Sequence, residues 1–386
     1  MKSYLFILIL IMTSLNVFAQ NKSPDRNKKM DMSILKDSVD GKLDVSNFLV
    51  DAHGFIPVPQ LITEPALGNI GLLFAPVFIQ PNKVQVEGQY IPPTITAGFV
   101  GYTANKTWGF GGMRIASLPR YHLKYRLGAV YGDANLSFYR NIRVVGEREF
   151  GFNFKTTAIF GSVLREISNS DVFIGLEYLY LFNDVTPDFG FENLPDFVEE
   201  KDLESNLSSI GIDLEFDKRD NVFTPNTGWY ITTDFRVNAS WTGSDYDYQN
   251  LSIAAFKFFQ FSPNWISGFR LETKIQTGDA PFYIEPAISL RGVPLARYQG
   301  DQTYVLETEQ RYDFTLRWSM VAFGGLAKAP TDDISFDDAL LVHNYGTGFR
   351  YLIARKFGLR TGIDVAWSND NFGWYIVFGS AWNNRN

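Results

Sequence analysis

The 386-residue chain is 45% hydrophobic and 20% charged, carries a formal net charge of −7 and has no cysteine. The acid excess, with no basic stripe, argues against a nucleic-acid partner. The missing cysteine removes disulfide staples, thiolate metal sites and lipid attachment at an N-terminal Cys.

Lys2, the apolar run from Tyr4 to Met12 and the approach Val17-Phe18-Ala19 read as a signal peptide over residues 1–19, cleaved after Ala19. That run is too short for a spanning helix, which needs about 20 apolar residues. No later window is apolar enough for one, so residence in a membrane would have to be as strands. Residues 20–60 read as a short periplasmic segment, polar and flexible at first, with one short helix near Ser33 to Ser38. A wall of strands is expected over 61–382. Aromatic residues make up 16% of the chain, and a barrel uses them as girdles at both membrane interfaces.

Within 61–382 the dominant period is two. From Trp229 one face reads Trp229, Ile231, Thr233, Phe235, Val237, Ala239, Trp241, and the other Tyr230, Thr232, Asp234, Arg236, Asn238, Ser240. Trp229, Phe235 and Trp241 should therefore face outward, with Asp234 and Arg236 inward. The stretch from Trp265 repeats the pattern, alternating Phe269, Leu271 and Ile275 with Arg270, Glu272, Lys274 and Gln276. Charges in succession on one face suit a wet lumen better than the outer face of a soluble sandwich. Alternating runs between turn signals give about 16 strands. They are expected to begin near residues 66, 94, 107, 121, 134, 148, 171, 206, 227, 247, 265, 303, 315, 345, 358 and 373. Short turns are expected at Asn105-Lys106, Gly132-Asp133, Ser168-Asn169, Ser262-Pro263-Asn264 and Lys356-Phe357, after even-numbered strands. Long connections fall after odd-numbered ones, at 184–205, 278–302 and 327–343. The expected fold is all-β: a closed antiparallel transmembrane β-barrel in the outer membrane of a Gram-negative cell. Its surroundings would be outer-membrane lipids and lipopolysaccharide, and the cell's barrel-assembly machinery would insert it.

Asp217 to Gly228 forms a long turn before the Trp229 strand, built from the Asp, Asn, Pro and Gly that favour turns. The order of Asp217, Arg219, Asp220, Asn221, Pro225 and Gly228 resembles the turn of the BamA/TamA outer-membrane assembly superfamily, the bacterial surface antigen family. Leu290-Arg291-Gly292-Val293, followed by Arg297-Tyr298-Gln299-Gly300, is similar to that family's Val-Arg-Gly-aromatic loop, which folds back into the barrel. Val305 to Arg311 resembles the strand carrying an inward Glu. Asn371 to Phe378 fits the general barrel-insertion signal, with Gly373, Ile376, Phe378 and Trp382 as its elements. Phe378 and Trp382 are expected on the lipid face of a last strand that pairs with one beginning between 64 and 72. The resemblance covers 60–382. Its members carry POTRA domains, which residues 20–60 are too few to form, so a barrel-only branch is implied.

The resemblance also implies a lock between the loop Arg and acids of the wall. Where relatives hold an Asp in a Phe-x-Asp pattern, this chain reads Phe323-Gly324-Gly325. An Asp at Gly325 should accordingly tighten the lock. A guanidinium in a narrow lumen is costly unless its fork is satisfied. Alternation sets Glu307, Glu309 and Arg311 inward; Glu309 matches the family's inward Glu and is the preferred partner of Arg291. Asp364, inward beside Arg360, is the second candidate.

His53, His122 and His343 are the only histidines, and none sits in a metalloprotease or nucleophile–base context. The chain is not read as an enzyme; no catalytic, cofactor or metal residue is assigned. The acidic stretches Asp184 to Glu204 and Asp332-Asp333 with Asp337-Asp338 match no calcium-loop spacing and read as solvated surface. The resemblance implies translocation or assembly of polypeptide or lipid at the outer membrane. The alternatives are a passive pore or structural barrel, and a surface adhesin using its acidic loops.

Overall fold

The computed structural model describes residues 32–51, 55–68, 70–80, 82, 91–142, 146–168, 170–189 and 194–382. The expected signal peptide lies outside the described residues. A short 3-10 turn at Met32–Leu35 and a helix α1 (Ser46–Asp51) precede the wall. The strands are β1 (Phe55–Ile62), β2 (Gly71–Gln80), β3 (Thr94–Thr103), β4 (Trp108–Leu118), β5 (Leu123–Ile142), β6 (Gly146–Glu166), β7 (Val172–Pro187) and β8 (Glu204–Asp217). They continue as β9 (Gly228–Asn238), β10 (Tyr248–Ser262), β11 (Trp265–Gly278), β12 (Gln302–Asp313), β13 (Trp318–Lys328), β14 (Val342–Ala354), β15 (Leu359–Ser368) and β16 (Asn371–Phe378). All sixteen form one sheet in sequence order, a nearly closed antiparallel barrel.

β3, β4 and β5 start close to the expected 94, 107 and 121, and the strands from β6 onward also start close to where alternation sets them. The expected starts near 66 and 134 fail. β1 begins at Phe55, ahead of Gln60, and the segment around residue 66 connects β1 to β2 rather than starting a strand. The expected strands at 121 and 134 are one, β5. Gly132 and Asp133 have turn chemistry, but Gly132 is paired with both Gly109 and Thr156, and Asp133 with both Trp108 and Lys155. Pairing on both edges overrides the local preference. One strand gained and one lost leave the count at sixteen. The shift moves the Asn105-Lys106 turn to follow an odd strand, β3, with Lys106 at φ 68°.

One mouth, the near mouth, holds the start of β1, the end of β16 and the turns after even strands. The far mouth holds the long connections 188–203, 279–301 and 329–341. Trp229 and Phe235 face outward, while Asp234 and Arg236 meet in the lumen. Trp241 is also exposed, in a 3-10 turn beyond β9. β5 and β6 run 20 and 21 residues, about twice what a bilayer crossing needs. Their far ends turn an apolar inner face, Phe138, Phe150, Phe152 and Phe154, against Phe282 and Val198 of the far loops. This aromatic dome covers the far mouth.

β1 and β16 lie side by side, yet no ladder joins them among the described residues. Thr63 donates its hydroxyl to the carbonyl of Trp374. The last strand thus neighbours one starting at Phe55, not one starting between 64 and 72.

Residues 36–49 are not a free lead-in but a strap along the near mouth. Arg317, in the β12–β13 turn and 1% exposed, donates to Asp37, to Asp40 (2.7 Å) and to Asp44 (2.6 Å). Arg355, in the β14–β15 turn, donates to Asp37 at 2.5 Å. Leu49 packs on Ala354 and Leu359, with Val45, Phe48, Phe223 and Phe357 around them. The Arg355 hydrogen bond holds the Asp37 carboxyl well below the usual carboxylate range, against the opposing pull of burial. Hydrogen bonds from Arg317 lower Asp40 in the same sense. A carboxylate depressed by folding contributes fully above its unfolded value, near pH 4, and loses that contribution as pH falls through its folded value. We expect the strap to stay docked from neutral pH to about pH 5 and to release only in stronger acid. Protease cutting between residues 36 and 49 at graded pH checks this; release at pH 6 would contradict it.

Candidate functional site

The 279–301 loop descends from the far mouth into the barrel. Pro281, Pro286 and Pro294 stiffen it, and two backbone bonds, Ile288 N–H to Tyr298 C=O and Gly300 N–H to Pro286 C=O, both 3.0 Å, stitch it together. Ile288, Leu290 and Val293 bury against Val305, Ala327 and Val342 of the wall. That apolar footing delivers Arg291 to the inner surface of β12–β15, where it is 1% exposed.

There the guanidinium meets three carboxylates. Its Nε and Nη2 donate to Glu307 Oε1 at 3.1 and 3.0 Å, and its Nη1 donates to Glu309 Oε2 at 2.7 Å and to Asp364 Oδ2 at 2.9 Å. The ring of Phe323 lies 3.4 Å beneath it. The backbone beside it is held as well. Asn344 Nδ2 donates to the Arg291 carbonyl, Ser368 Oγ to the Gly292 carbonyl, and Gly292 N–H to the Tyr375 hydroxyl. Gly292 sits at φ 88°, where a side chain would be strained.

The acids are shared. Arg350 forks onto Asp364 at 2.5 and 3.0 Å. Arg270 reaches Glu307 at 3.2 Å, Glu272 at 2.7 Å and the Ser289 carbonyl of the loop at 2.9 Å. Trp382 Nε1 donates to Glu307 at 2.7 Å. This corrects the expected place of Trp382. After β16 the chain turns inward at Gly379 (φ 76°), and the indole packs against Phe256 and Phe258 inside the barrel. A fully buried carboxylate already held by Arg291 and Arg270 gains a further donor in the indole N–H. Ile376 and Phe378 do face outward, register partners of Ile363 and Thr361, and Gly373 is buried on the inner face.

Gly325 has no room for an Asp. A Cβ there would meet Asn344 Oδ1 and the Leu306 carbonyl at 2.9 Å and Leu290 Cδ2 at 3.0 Å. Gly325 also lies opposite Glu307 in the ladder. The third acid comes instead from β15, across β14. Gly348 makes that reach possible, because a Cβ on it would lie 2.1 Å from Asp364 Oδ1.

The long turn at residues 218–227 closes the near mouth. Arg219 forks onto Asp217 at 2.8 and 2.7 Å; Asp220 accepts from the N–H groups of Asn226 and Thr227. Asn221 accepts from Phe223 and Thr224 and donates across the mouth to the Phe357 carbonyl at 2.9 Å. Gly228, at φ 112°, passes so close to Lys218 that any Cβ would collide with its carbonyl. Pro225 lines a small cavity with Arg311, Arg350 and Trp382.

A second charged cluster on the opposite wall was missed in the sequence beyond Asp234 and Arg236. Lys124 bonds Glu215 at 2.6 Å, Arg126 bonds Asp213 at 2.9 Å, and Arg236 bonds Glu177 at 2.8 Å and Asp234 at 2.6 Å. Lys124 and Arg126 alternate on β5 as Asp213 and Glu215 do on β8, a signal the sequence already carried.

Removing one partner of a buried ion cluster leaves uncompensated charge, at a cost of about 3–5 kcal/mol. Arg291→Ala should therefore release the loop, raising conductance in planar bilayers while the barrel keeps its heat-shifted gel mobility. Gly325→Asp should weaken the lock too, because it crowds Leu290 and adds an acid beside Glu307. Trp382→Phe keeps the ring packing but deletes a bond to a charged group, worth about 1.5–3 kcal/mol. It should raise conductance less than Arg291→Ala; identical conductance to wild type would separate tail from lock.

Residues 96–292 match the Omp85 superfamily domain. No curated protein matches by sequence. Among solved structures, BamA from Haemophilus ducreyi lacking POTRA domains 1–3 is similar at 9% identity and a TM-score of 0.56, over 83% of this chain and 69% of that one. CdiB from Escherichia coli is similar at 10% identity and a TM-score of 0.56, over 82% of this chain and 61% of that one. CdiB from Acinetobacter baumannii gives 11% and 0.53, over 84% and 59%. At these identities the likeness is one of fold. The domain match covers half of the chain, and the lumen loop carrying Arg291 ends it: the chain belongs to the Omp85 superfamily and is a sixteen-stranded barrel of the Gram-negative outer membrane.

Proposed function

We propose that this barrel translocates or assembles polypeptide or lipid at the outer membrane, with the 279–301 loop as its gate and the β1–β16 seam as its lateral outlet. The observation that carries the reading is the seam. Among the described residues, fifteen junctions between successive strands are laddered, and the sixteenth is not. In lipid, unpaired backbone groups cost several kcal/mol each, so a ring left unzipped at one junction is a place built to exchange partners. The family supports the same reading, since BamA and CdiB share the barrel fold.

A passive pore fits less well, because the bore is filled three times along its axis. The dome fills the far mouth, the Arg291 cluster the middle, and the 218–227 turn with the Trp382 tail the near mouth. Opening requires releasing a loop held by ions, which is a gate rather than a bore.

Deleting the gene and comparing the outer-membrane proteome and lipid asymmetry with wild type tests the proposal. We expect loss of specific proteins or of lipid asymmetry, restored by the wild-type gene but not by one whose seam is locked by a disulfide between Thr63→Cys and Trp374→Cys. The chain's lack of native cysteine makes that pair clean. Altered solute uptake alone would return the passive pore to the lead. Loss of surface attachment alone would favour the adhesin.

A further inference from the structure

The strap at residues 36–49 has no part in the lock, and its acids reach neither the lumen cluster nor the loop. We propose that it is the clasp of the seam: it ties β1 to the far side of the β16 junction and holds the near end of that junction shut. The inference rests on the seam being the outlet.

The Thr63–Trp374 contact sets how β1 and β16 lie against each other. In an antiparallel pair, each residue back along β1 is one residue forward along β16. Eight residues back, at Phe55, the level reached is that of Trp382. But β16 ends at Phe378, and Gly379–Trp382 has turned into the lumen. The near half of β1 therefore has no strand of β16 beside it. An exposed edge of that kind invites other partners or comes open.

The strap answers that gap from below. α1 ends at Asp51 and β1 begins at Phe55, so the chain leads from the strap to the strand within three residues. The strap is held on the β12–β13 turn by Arg317 and on the β14–β15 turn by Arg355. Val45 N–H donates to the Ile353 carbonyl at 2.8 Å, and the Tyr351 hydroxyl donates to the Leu43 carbonyl at 2.8 Å. Asn47 and Ser46 engage Lys356, and Asp44 accepts from the Arg355 N–H. Every one of these anchors lies on the β16 side of the seam, none on β1 or β2. Anchored on that side and continuous in sequence with β1, the strap can join the two sides of the junction without a ladder.

Its chemistry also suits a clasp that lets go. Three carboxylates on one guanidinium make a compact ionic knot. A strand ladder would have to be unzipped bond by bond, whereas this knot releases as a unit. Closing the near end through the strap's side chains leaves β1 free to move once they let go. The dome and the lock stay where they are, so release at the seam does not require release of the lumen loop.

The test uses the full-length protein in lipid vesicles with spin labels at Pro57→Cys on β1 and Thr361→Cys on β15, both on the outer wall. A protease site inserted between α1 and β1 is cut after insertion, which detaches strap from strand without disturbing assembly. We expect a narrow distance distribution before cutting. After cutting, it should broaden and lengthen by ~5 Å or more, one strand spacing. Asp37→Asn, Asp40→Asn and Asp44→Asn together should give the same change uncut. Labels at Phe235→Cys and Leu271→Cys, on one continuous wall, should not move. A cut protein whose Pro57–Thr361 distribution is unchanged overturns the clasp, as does a folded triple variant with the wild-type distribution. If the triple variant fails to insert, the cut protein decides. Widening of the seam with no effect on proteome or lipid asymmetry would leave the clasp standing and remove the proposed function instead.

Discussion

A guanidinium carried into the middle of a barrel at 1% exposure has to be matched there, and the wall around Arg291 is shaped by that requirement. One residue cannot do it. Glu307 and Glu309 come from β12 and Asp364 from β15, so the strands between them, β13 and β14, must lie flat enough for side chains to cross. Their inner faces carry Gly325, Gly346 and Gly348, and each is a point where a Cβ would collide with a neighbour of the cluster. Phe323 lies on the same face, and its ring is the floor on which the guanidinium rests. The glycines of β13 and β14 are thus the consequence of a charge placed two strands away.

The lock does not need an acid at position 325. A side chain there would meet Asn344 and Leu290, so Gly325 must be small, and Asp364 supplies the third carboxylate from β15. The chain keeps the chemistry, three oxygens around one fork, while changing the strand that supplies the third.

What was legible in the sequence was what depends on one strand at a time. Inward Glu307, Glu309, Asp234 and Arg236 follow from alternation alone, because a closed wall leaves each side chain only two directions. The division of β5 at Gly132-Asp133 shows where that logic fails: turn chemistry is local, but these residues are held in the wall by partners on both edges. The strap was illegible for a related reason. Asp37, Asp40 and Asp44 read as polar lead-in because their partners, Arg317 and Arg355, are about 270–320 residues away along the chain. Trp382 misled because a C-terminal aromatic reads as a lipid anchor, and nothing local reveals that its indole N–H meets Glu307, 75 residues back along the chain.

Glu307 is also where the two closures of the bore meet. Its oxygens take Arg291 from the loop, Arg270 from β11 and the indole N–H from the tail that follows β16. Withdrawing the tail removes a donor from a carboxylate with no exposure to water, which strengthens the demand that the remaining two cations satisfy it. Withdrawing Arg291 likewise leaves the indole as one of the few donors near that charge. Loop and tail therefore share a binding partner, and their free energies of docking are coupled through it, by the same amount in either direction. Because the tail continues β16, the last strand and the lumen loop meet on one carboxylate.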